Sequence, residues 1–430
     1  MKRYVQLLHN YNMFKDYDEA LLWLYEQKKK QRRENLFRIE HCIKLLDIKI
    51  PYKVIHIAGT NGKGSTASLL NQMLMLKGKR VGMFVSPYVI SFQERIEVNK
   101  EYISKDNILK YLERLREFAG EYQRINEDTI PFFELTFLMA LLYFEDCKID
   151  VLVLECGLGG LLDATNAVKK DVSVITNIGY DHMAQLGNTL EEISLHKLGI
   201  TRKNIPCFTT VDEALIPFFK AYAKENGVPM YFVGPEISNI QVKPHSTCFC
   251  WKNESYETRL CGLFQAYNAG LALAVMLHLY PDTSRKLLDQ ALKMVDWPGR
   301  FEFVKKNIIL DGAHNLPGIE ALCQSLKLLY PKKRIKVVFT ALRDKAVERM
   351  LEKLDEVAEL YYFTTILDAR ASNVEDFSQI TKKPYKLYSE YKAAIKESIR
   401  DLKESELLVV TGSLHFISEA RMLLLEEIKS

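Results

Sequence analysis

Charge of one sign, long apolar runs and paired cysteines are all scarce in this 430-residue chain, and each scarcity excludes a class of protein. Lysine and arginine number 59 against 55 aspartate and glutamate, a net charge of +4, which is too small an asymmetry to argue for nucleic acid. No apolar run approaches the ~18 residues of a membrane helix, and nothing at the N-terminus resembles a signal peptide. Eight cysteines are scattered through the chain. Only Cys248 and Cys250 lie close together, with no second pair at zinc-site spacing, so reduced thiols are expected rather than a disulfide framework. No internal repeat or low-complexity tract is present. A cytoplasmic protein is expected, with roughly two or three domains that each bury a core. Nothing demands an oligomer, and a monomer is expected. The one basic run, Lys28-Lys29-Lys30-Gln31-Arg32-Arg33, reads as the solvated end of a helix from Tyr17 to about Lys30, where cations complement the helix dipole.

What is present is a rhythm of strands and helices. Apolar, β-branched runs recur at Val54–Ile57, Val81–Val85, Val151–Leu154, Val172–Thr176 and Pro206–Thr209, with amphipathic segments between most of them. That is the signature of a parallel sheet wound with helices on both faces. Residues 228–260 read as short strands and turns, and a helix begins near Gln265. A second α/β series follows at Ile308–Leu310, Lys336–Phe339, Leu360–Phe363 and Leu407–Val410. Trp297-Pro298-Gly299-Arg300 has hinge chemistry, so the boundary is placed between domains 1–297 and 298–430.

The most informative stretch is Val54 to Thr66. A strand breaks into Gly59-Thr60-Asn61-Gly62-Lys63-Gly64-Ser65, and a helical pattern follows. Several backbone N–H groups then point at one spot at the positive end of a helix, a nest suited to a polyphosphate, and Lys63 adds its charge. The usual phosphate-loop pattern is not met strictly: Ile57 stands at the first glycine's place and Gly64 follows the lysine. Ligands of such sheets bind beyond the carboxyl ends of the strands. Ser86, Glu155, Asp181 and His182 all sit there. Glu97 reads as a solvated strand or turn residue.

Taken together, these motifs resemble the folylpolyglutamate synthases, often also dihydrofolate synthases, of the Mur ligase superfamily. The resemblance spans nearly the whole chain. It includes Asn35-Leu36-Phe37-Arg38-Ile39, the loop Gly59–Ser65, Ser86-Pro87 and Glu94-Arg95-Ile96. It continues through Phe132-Phe133-Glu134-Leu135-Thr136, Glu155-Cys156-Gly157-Leu158-Gly159-Gly160 and Leu162-Asp163-Ala164-Thr165-Asn166. Asp181-His182, Leu186-Gly187-Asn188-Thr189, Lys197-Leu198-Gly199-Ile200, Phe264-Gln265 with Asn268-Ala269, Trp297–Arg300, Asp311-Gly312-Ala313-His314-Asn315 and Thr411–Leu414 complete it. The implied fold is a parallel-sheet ATPase domain with a phosphate loop, followed by a smaller Rossmann-like α/β domain.

The resemblance implies an ATP-dependent amide ligase that adds L-glutamate to folates, and in many members to dihydropteroate, through an acyl phosphate. A Mur-type ligase joining another amino acid to another carboxylate would share the same ATP machinery. Asn61, Gly62, Lys63, Gly64 and Ser65 would hold the phosphates, with Asn268 near the base and Arg300 and Asp311 at the phosphate and ribose side. Ser86 and Glu155 would hold one Mg²⁺ and His182 a second. Lys63, His182 and Lys197 would carry the catalysis, with Lys197 carbamylated although His196 and Leu198 stand where Glu and Ala are usual. Pro131, Phe132, Phe133, Glu134, Leu162, Asp163 and Ala164 would receive the pterin, and His314 and Asn315 the incoming glutamate. Tyr88 and Leu316 depart from the usual His and Pro. Plainer readings stand beside these: a turn-capping Glu155, a loop His182, a solvent-facing Lys197, a core Phe133, a simple turn at Asp311-Gly312 and a surface salt bridge for Arg300.

Overall fold

A computed structural model describes residues 13–27, 35–88 and 90–427. Helices α1 (Tyr17–Glu26) and α2 (Phe37–Leu45) precede β1 (Lys53–Ala58), α3 (Lys63–Leu76), β2 (Val81–Phe84), β3 (Ile96–Val98) and β4 (Glu101–Tyr102). The chain continues through α4 (Lys105–Asn126), α5 (Phe132–Asp146), β5 (Val151–Glu155), β6 (Val172–Ile175), α6 (Met183–Leu186) and α7 (Leu190–Leu198). Next come β7 (Cys207–Thr209), α8 (Ile216–Asn226), β8 (Met230–Phe232), β9 (Ile237–Lys243), β10 (Ser246–Trp251), β11 (Glu254–Thr258), α9 (Leu263–Leu279) and α10 (Arg285–Met294).

Among the described residues the first sheet runs β4-β3-β2-β5-β1-β6-β7-β8, parallel from β2 to β8, with β3 and β4 as an antiparallel edge. Its central strands are buried on both faces, which explains their unbroken apolar runs. The period of two still sorts their side chains. Val54, Leu152 and Leu154 pack toward α4 and α5, while Ile55, Ile57, Val151 and Val153 pack toward α3, α9 and α10. The small sheet β11-β10-β9 covers that second helical layer.

The second half adds β12 (Glu302–Lys305), β13 (Ile308–Leu310), α11 (Leu316–Leu329), β14 (Arg334–Phe339), α12 (Val347–Leu354) and β15 (Ala358–Phe363). It ends with α13 (Val374–Ile380), β16 (Tyr385–Leu387), α14 (Tyr391–Arg400), β17 (Glu406–Thr411) and α15 (Leu414–Glu427). Its sheet runs β12-β13-β17-β14-β15-β16, with only β12 antiparallel. Ile309, Val337 and Val409 face α11 and α12, whereas Leu310, Val338 and Val410 face α14 and α15.

Two expectations need correction. The first helix ends at Glu26, because Gln27 has turned to extended backbone; the basic run from Lys28 lies outside the described residues. Glu97 is not solvated. It is 5% exposed on β3, and the Asn71 amide donates to its Oε1. Its alternation with Ile96 and Val98 points it inward, against the buried face of α3. All eight cysteines are free thiols, and no described helix is long and apolar enough to cross a membrane.

Burial raises the Glu97 carboxyl to about 7. A raised carboxyl favours folding at low pH and loses that contribution as pH climbs through the folded value. Glu97→Gln keeps the shape and stays neutral. Its stability advantage over the parent should grow from the ordinary glutamate range up to about pH 7 and then level. Urea titrations at a series of pH values check this; a pH-independent difference would contradict it.

Candidate functional site

The two parallel sheets present the carboxyl ends of their strands to one cleft of about 1430 Å³. β1, β2, β5 and β6 supply one wall; β13, β14 and β17 supply the other. In the first sheet β1 lies between β5 and β6, so the chain order reverses around it, and a crevice opens where strands diverge.

The loop after β1 occupies that crevice. Gly62 caps α3 with φ of +83°, a left-handed conformation that glycine adopts without penalty. A Cβ there would also stand 2.4 Å from the Asn268 side-chain oxygen, so α9 is packed directly behind the loop. A Cβ on Gly64 would lie 2.7 Å from the Trp297 ring, which brings the 297–300 segment against the same turn. The Asn61 N–H donates to Asn177 Oδ1 at 2.8 Å, and Thr176 Oγ1 donates to the Asn61 carbonyl at 2.6 Å, fixing the loop to the end of β6. Lys63 folds across it, its Nζ donating to the carbonyls of Gly59 (3.0 Å) and Thr60 (3.2 Å). Those are replaceable partners: a phosphate oxygen offers a stronger, charge-assisted bond.

Glu155 closes β5 and is 5% exposed, held by the Ser86 N–H at 3.0 Å. Burial raises its carboxyl, opposed by the charge of Lys63, the Ser86 N–H, Arg300 and Arg95. No described cluster of three His, Cys, Asp or Glu side chains forms a metal cage. The Glu155 carboxylate beside Ser86 fits Mg²⁺, which is held by one or two protein oxygens together with substrate phosphates and waters. His182 has a left-handed φ of +50° and sits half-exposed, its Nε2 3.8 Å from Asp181. Burial, with Lys345 and Lys63 nearby, lowers it below the usual histidine value despite Asp181.

Lys197 is buried, not solvent-facing. A capping box fixes α7: Thr189 Oγ1 accepts the Glu192 N–H at 3.2 Å, and Glu192 accepts the Thr189 N–H. The amphipathic turns that follow deliver Lys197 into the cleft wall at 3% exposure, with no ion pair among the described residues. Burial first, and Lys63 second, lower its amine to about 7.

Where the resemblance would place the pterin, Pro131 caps α5 and brings Phe132 and Phe133 to the cleft. The Phe133 edge lies against Gly157, where a Cβ would come within 2.6 Å, and its ring meets Phe84 edge-on at 5.9 Å. It is both core and cleft wall. Glu134 is committed to Arg38, which donates through Nε at 2.7 Å and through a second, shorter bond. Arg38 also reaches Asp128 at 3.3 Å. Asp163 lines the cleft, yet its oxygens already accept the N–H groups of Leu158 (2.8 Å) and Thr165 (3.0 Å) and the Thr165 hydroxyl. Leu162 and Ala164 flank it on the same wall.

From the opposite wall, Asp311 closes β13 and accepts the N–H groups of Phe301 and Ala313, each at 2.8 Å. Arg300 lies part-buried beside it, donating to the Gly299 carbonyl at 3.1 Å. His314 is bound through Nδ1 to the Gly312 carbonyl at 2.8 Å, and burial lowers it to about 4. Asn315 caps α11 and exchanges amide bonds with Asn61 at 3.0 and 3.1 Å. It also donates to Asp181 at 2.8 Å. Every expected site residue lines the cleft except Asn315, which lies behind it as a link between the two walls.

Sequence reading missed Lys345, Arg38 as a partner of Glu134, and Arg95. Lys345 leaves the end of β14 and meets Asp181 at 2.6 Å with both side chains buried. Burial alone would raise Asp181; Lys345, with His182 and His314, holds it below the usual carboxylate range instead. Nothing local in Leu342-Arg343-Asp344-Lys345 signals this, because its partner is 164 residues away.

The chain matches the Mur ligase middle domain over residues 57–276 and the Mur ligase glutamate ligase domain over residues 299–414. It is 34% identical to the dihydrofolate synthase/folylpolyglutamate synthase of Bacillus subtilis, over 95% of this chain and 99% of that protein. The structure of E. coli FolC in complex with DHPP and ADP superposes with a TM-score of 0.87 at 27% identity, covering 98% of this chain and 100% of that one. A bifunctional folylpolyglutamate synthase/dihydrofolate synthase with Mn, AMPPNP and L-glutamate bound gives a TM-score of 0.82 at 26% identity, over 95% and 98% of the two chains. The chain belongs to the folylpolyglutamate synthase/dihydrofolate synthase family of Mur ligases, and its chemistry is that of an ATP-dependent ligase.

The Asp181–Lys345 pair should behave as a buried ion pair. Lys345→Met leaves an uncompensated buried carboxylate and should cost about 3 kcal/mol of stability. Adding Asp181→Asn to that variant should restore much of the loss in a denaturant-unfolding double-mutant cycle. Additive losses would show that the two side chains act separately.

Proposed function

We propose that this enzyme adds L-glutamate to a folate, and also to dihydropteroate, by ATP-driven amide formation through an acyl phosphate. The observation that carries the reading is the convergence, in one cleft, of the Gly59–Ser65 loop with Lys63, the buried Glu155, the aromatic side chains Phe132 and Phe133 and a second sheet bringing Arg300, Asp311 and His314 from the far side. Free thiols throughout suit a reducing, cytoplasmic compartment. A division at residues 297/298 suits the placement of Trp297 on the phosphate loop and Arg300 in the opposite wall.

Each residue then has a physical role. The amides of Asn61 to Ser65 and the Lys63 ammonium hold the β- and γ-phosphates, while Asn268 behind the loop and Arg300 and Asp311 across the cleft hold base and ribose. Phosphoryl transfer between anions depends on positioning and charge neutralisation. Ser86, Glu155 and His182 would hold Mg²⁺, one or two ions, which neutralises phosphate charge when bound. Phe132 and Phe133 offer the pterin ring a flat apolar wall, and the commitments of Asp163 and Glu134 hold the shape of that wall. His314 faces the cleft where the amino-acid nucleophile arrives. Asn315 acts through Asn61 and Asp181, joining the amino-acid side to the nucleotide side. Both walls touching one nucleotide exclude water from the acyl phosphate.

Lys63→Ala tests the nucleotide assignment. With dihydropteroate or tetrahydrofolate, Mg·ATP and glutamate, wild type should give products heavier by one glutamyl residue, scored by mass. The variant should lose at least about 100-fold in turnover while its circular dichroism stays unchanged, as expected when a transition-state charge partner is removed. Near wild-type turnover in the variant would sink the assignment, and product formation only with another amino acid or acid would replace the substrate reading.

Lys197 is proposed to carry a carbamate. Its buried amine, lowered to about 7, has a neutral fraction at physiological pH, and only a neutral amine attacks CO₂. The nitrogen lone pair bonds the carbon, and a proton leaves to solvent, turning a cation into a tethered anion. ¹³C NMR of folded protein under labelled CO₂ should show one carbamate signal that Lys197→Ala lacks. It should strengthen as pH rises through about 7. An active preparation with a free amine would refute the carbamate.

A further inference from the structure

Arg95 is a charged group in the cleft that these assignments leave unused. It ends the 3-10 turn Phe92–Arg95, is 8% exposed and lines the cleft. Among the described residues its Nε has no hydrogen-bond partner and its guanidinium forms no ion pair. What surrounds it is aromatic: Tyr88 at 5.1 Å, Phe132 at 5.5 Å and Phe92 at 5.8 Å from the guanidinium carbon to the ring centroids. Tyr25 from α1 stacks on Phe132 at 5.5 Å, and its hydroxyl pairs with the Tyr88 hydroxyl at 2.9 Å, which fixes the cage from outside.

Rings attract a cation, but they supply no oxygen lone pair for its N–H donors. A buried guanidinium without an acceptor is costly and persists where function requires it. The missing partner is a planar oxyanion that the fork of donors can grip. Glu155 is close enough to influence Arg95 electrostatically yet makes no ion pair with it. Phe132 belongs to both the cage and the aromatic wall, and Glu155 feels the charges of both Arg95 and Lys63, so Arg95 adjoins that wall and the loop side of the cleft together.

We infer that Arg95 binds the carboxylate of the folate-side substrate, the group to be phosphorylated, and turns it toward the phosphate loop. The inference rests on the proposed reaction and adds to it the residue that selects an acid over a neutral pterin. It also accounts for Tyr88, which stands where histidine is usual, since its hydroxyl is held by Tyr25 while its ring covers the guanidinium.

The test compares dihydropteroate with its primary carboxamide, bound without ATP and followed by fluorescence, in wild type, Arg95→Met and Arg95→Lys. Wild type should bind the acid about 30-fold or more tightly than the amide, the size expected for a charge-assisted pair in a desolvated site. Arg95→Met should lose that factor for the acid and stay within about threefold for the amide, with Arg95→Lys between them. KM for ATP and for glutamate should not change. The Tm of the ligand-free Met variant should hold or rise, because an unpaired buried charge has been exchanged for an apolar chain of similar length. Equal losses for acid and amide, a change confined to the glutamate KM, or unaltered acid binding would each overturn the inference. Acid–amide discrimination in wild type stands as a test even if the Met variant does not fold. A wild type that ligates no folate at all would instead remove the functional reading beneath it.

Discussion

Asn61, Asn315, Asp181 and Lys345 form the junction on which the rest of the cleft depends. Asn61 belongs to the phosphate loop, Asn315 caps α11, Asp181 follows β6 and Lys345 follows β14. Through them the carboxyl ends of two separate sheets are tied across one space. The carboxylate at the centre is buried, and low dielectric makes such a group stabilising only while every partner is present. A wall that swung away would strand Asp181 without its cation. The junction therefore ties the relative position of the halves to the same loop, Asn61–Ser65, that is proposed to receive phosphate.

Around that junction the site is rich in cations that lack carboxylate partners. Among the described residues Lys63 bonds only to loop carbonyls, Arg300 to one carbonyl, Arg95 to rings, and Lys197 stands buried without an ion pair. Such an arrangement is poorly satisfied by itself and well satisfied by polyanionic ligands. The electrostatics of the cleft are thus the complement of ATP and acidic substrates, and preorganised donors need not reorganise when charge moves between oxygens. Glu155 is the counterweight, a buried carboxylate suited to a divalent cation among those phosphates.

The parts legible in sequence were those whose signal is local. The strand–loop–helix at Val54–Thr66 announces itself because a β-branched run, three glycines and a lysine are adjacent in the chain, and the long strands of both sheets follow from apolar runs. The antiparallel edges β3, β4 and β12 were not legible, being two to four residues long and mixed in composition. Glu97 was misread because a single glutamate in a short strand carries no mark of which face it takes; its burial is decided by Asn71 on α3. Lys345 and Arg38 were invisible for a related reason, since each finds its carboxylate far along the chain. Arg95 stood within a recognisable motif, but its lack of a partner is a property of three-dimensional packing alone. Conversely Asp163 and Asn315, placed by resemblance as ligand contacts, turn out to have their oxygens largely occupied by the protein itself.

The central claim is that one nucleotide is held by both sheets at once. A crystal structure of the full chain with Mg·AMPPNP and dihydropteroate tests it most directly. The account predicts the β- and γ-phosphates on the amides of Asn61–Ser65 beside Lys63, and Arg300 and Asp311 touching the same nucleotide from the opposite wall. A nucleotide bound by the first sheet alone, with Arg300 and Asp311 turned away from it, would contradict the account.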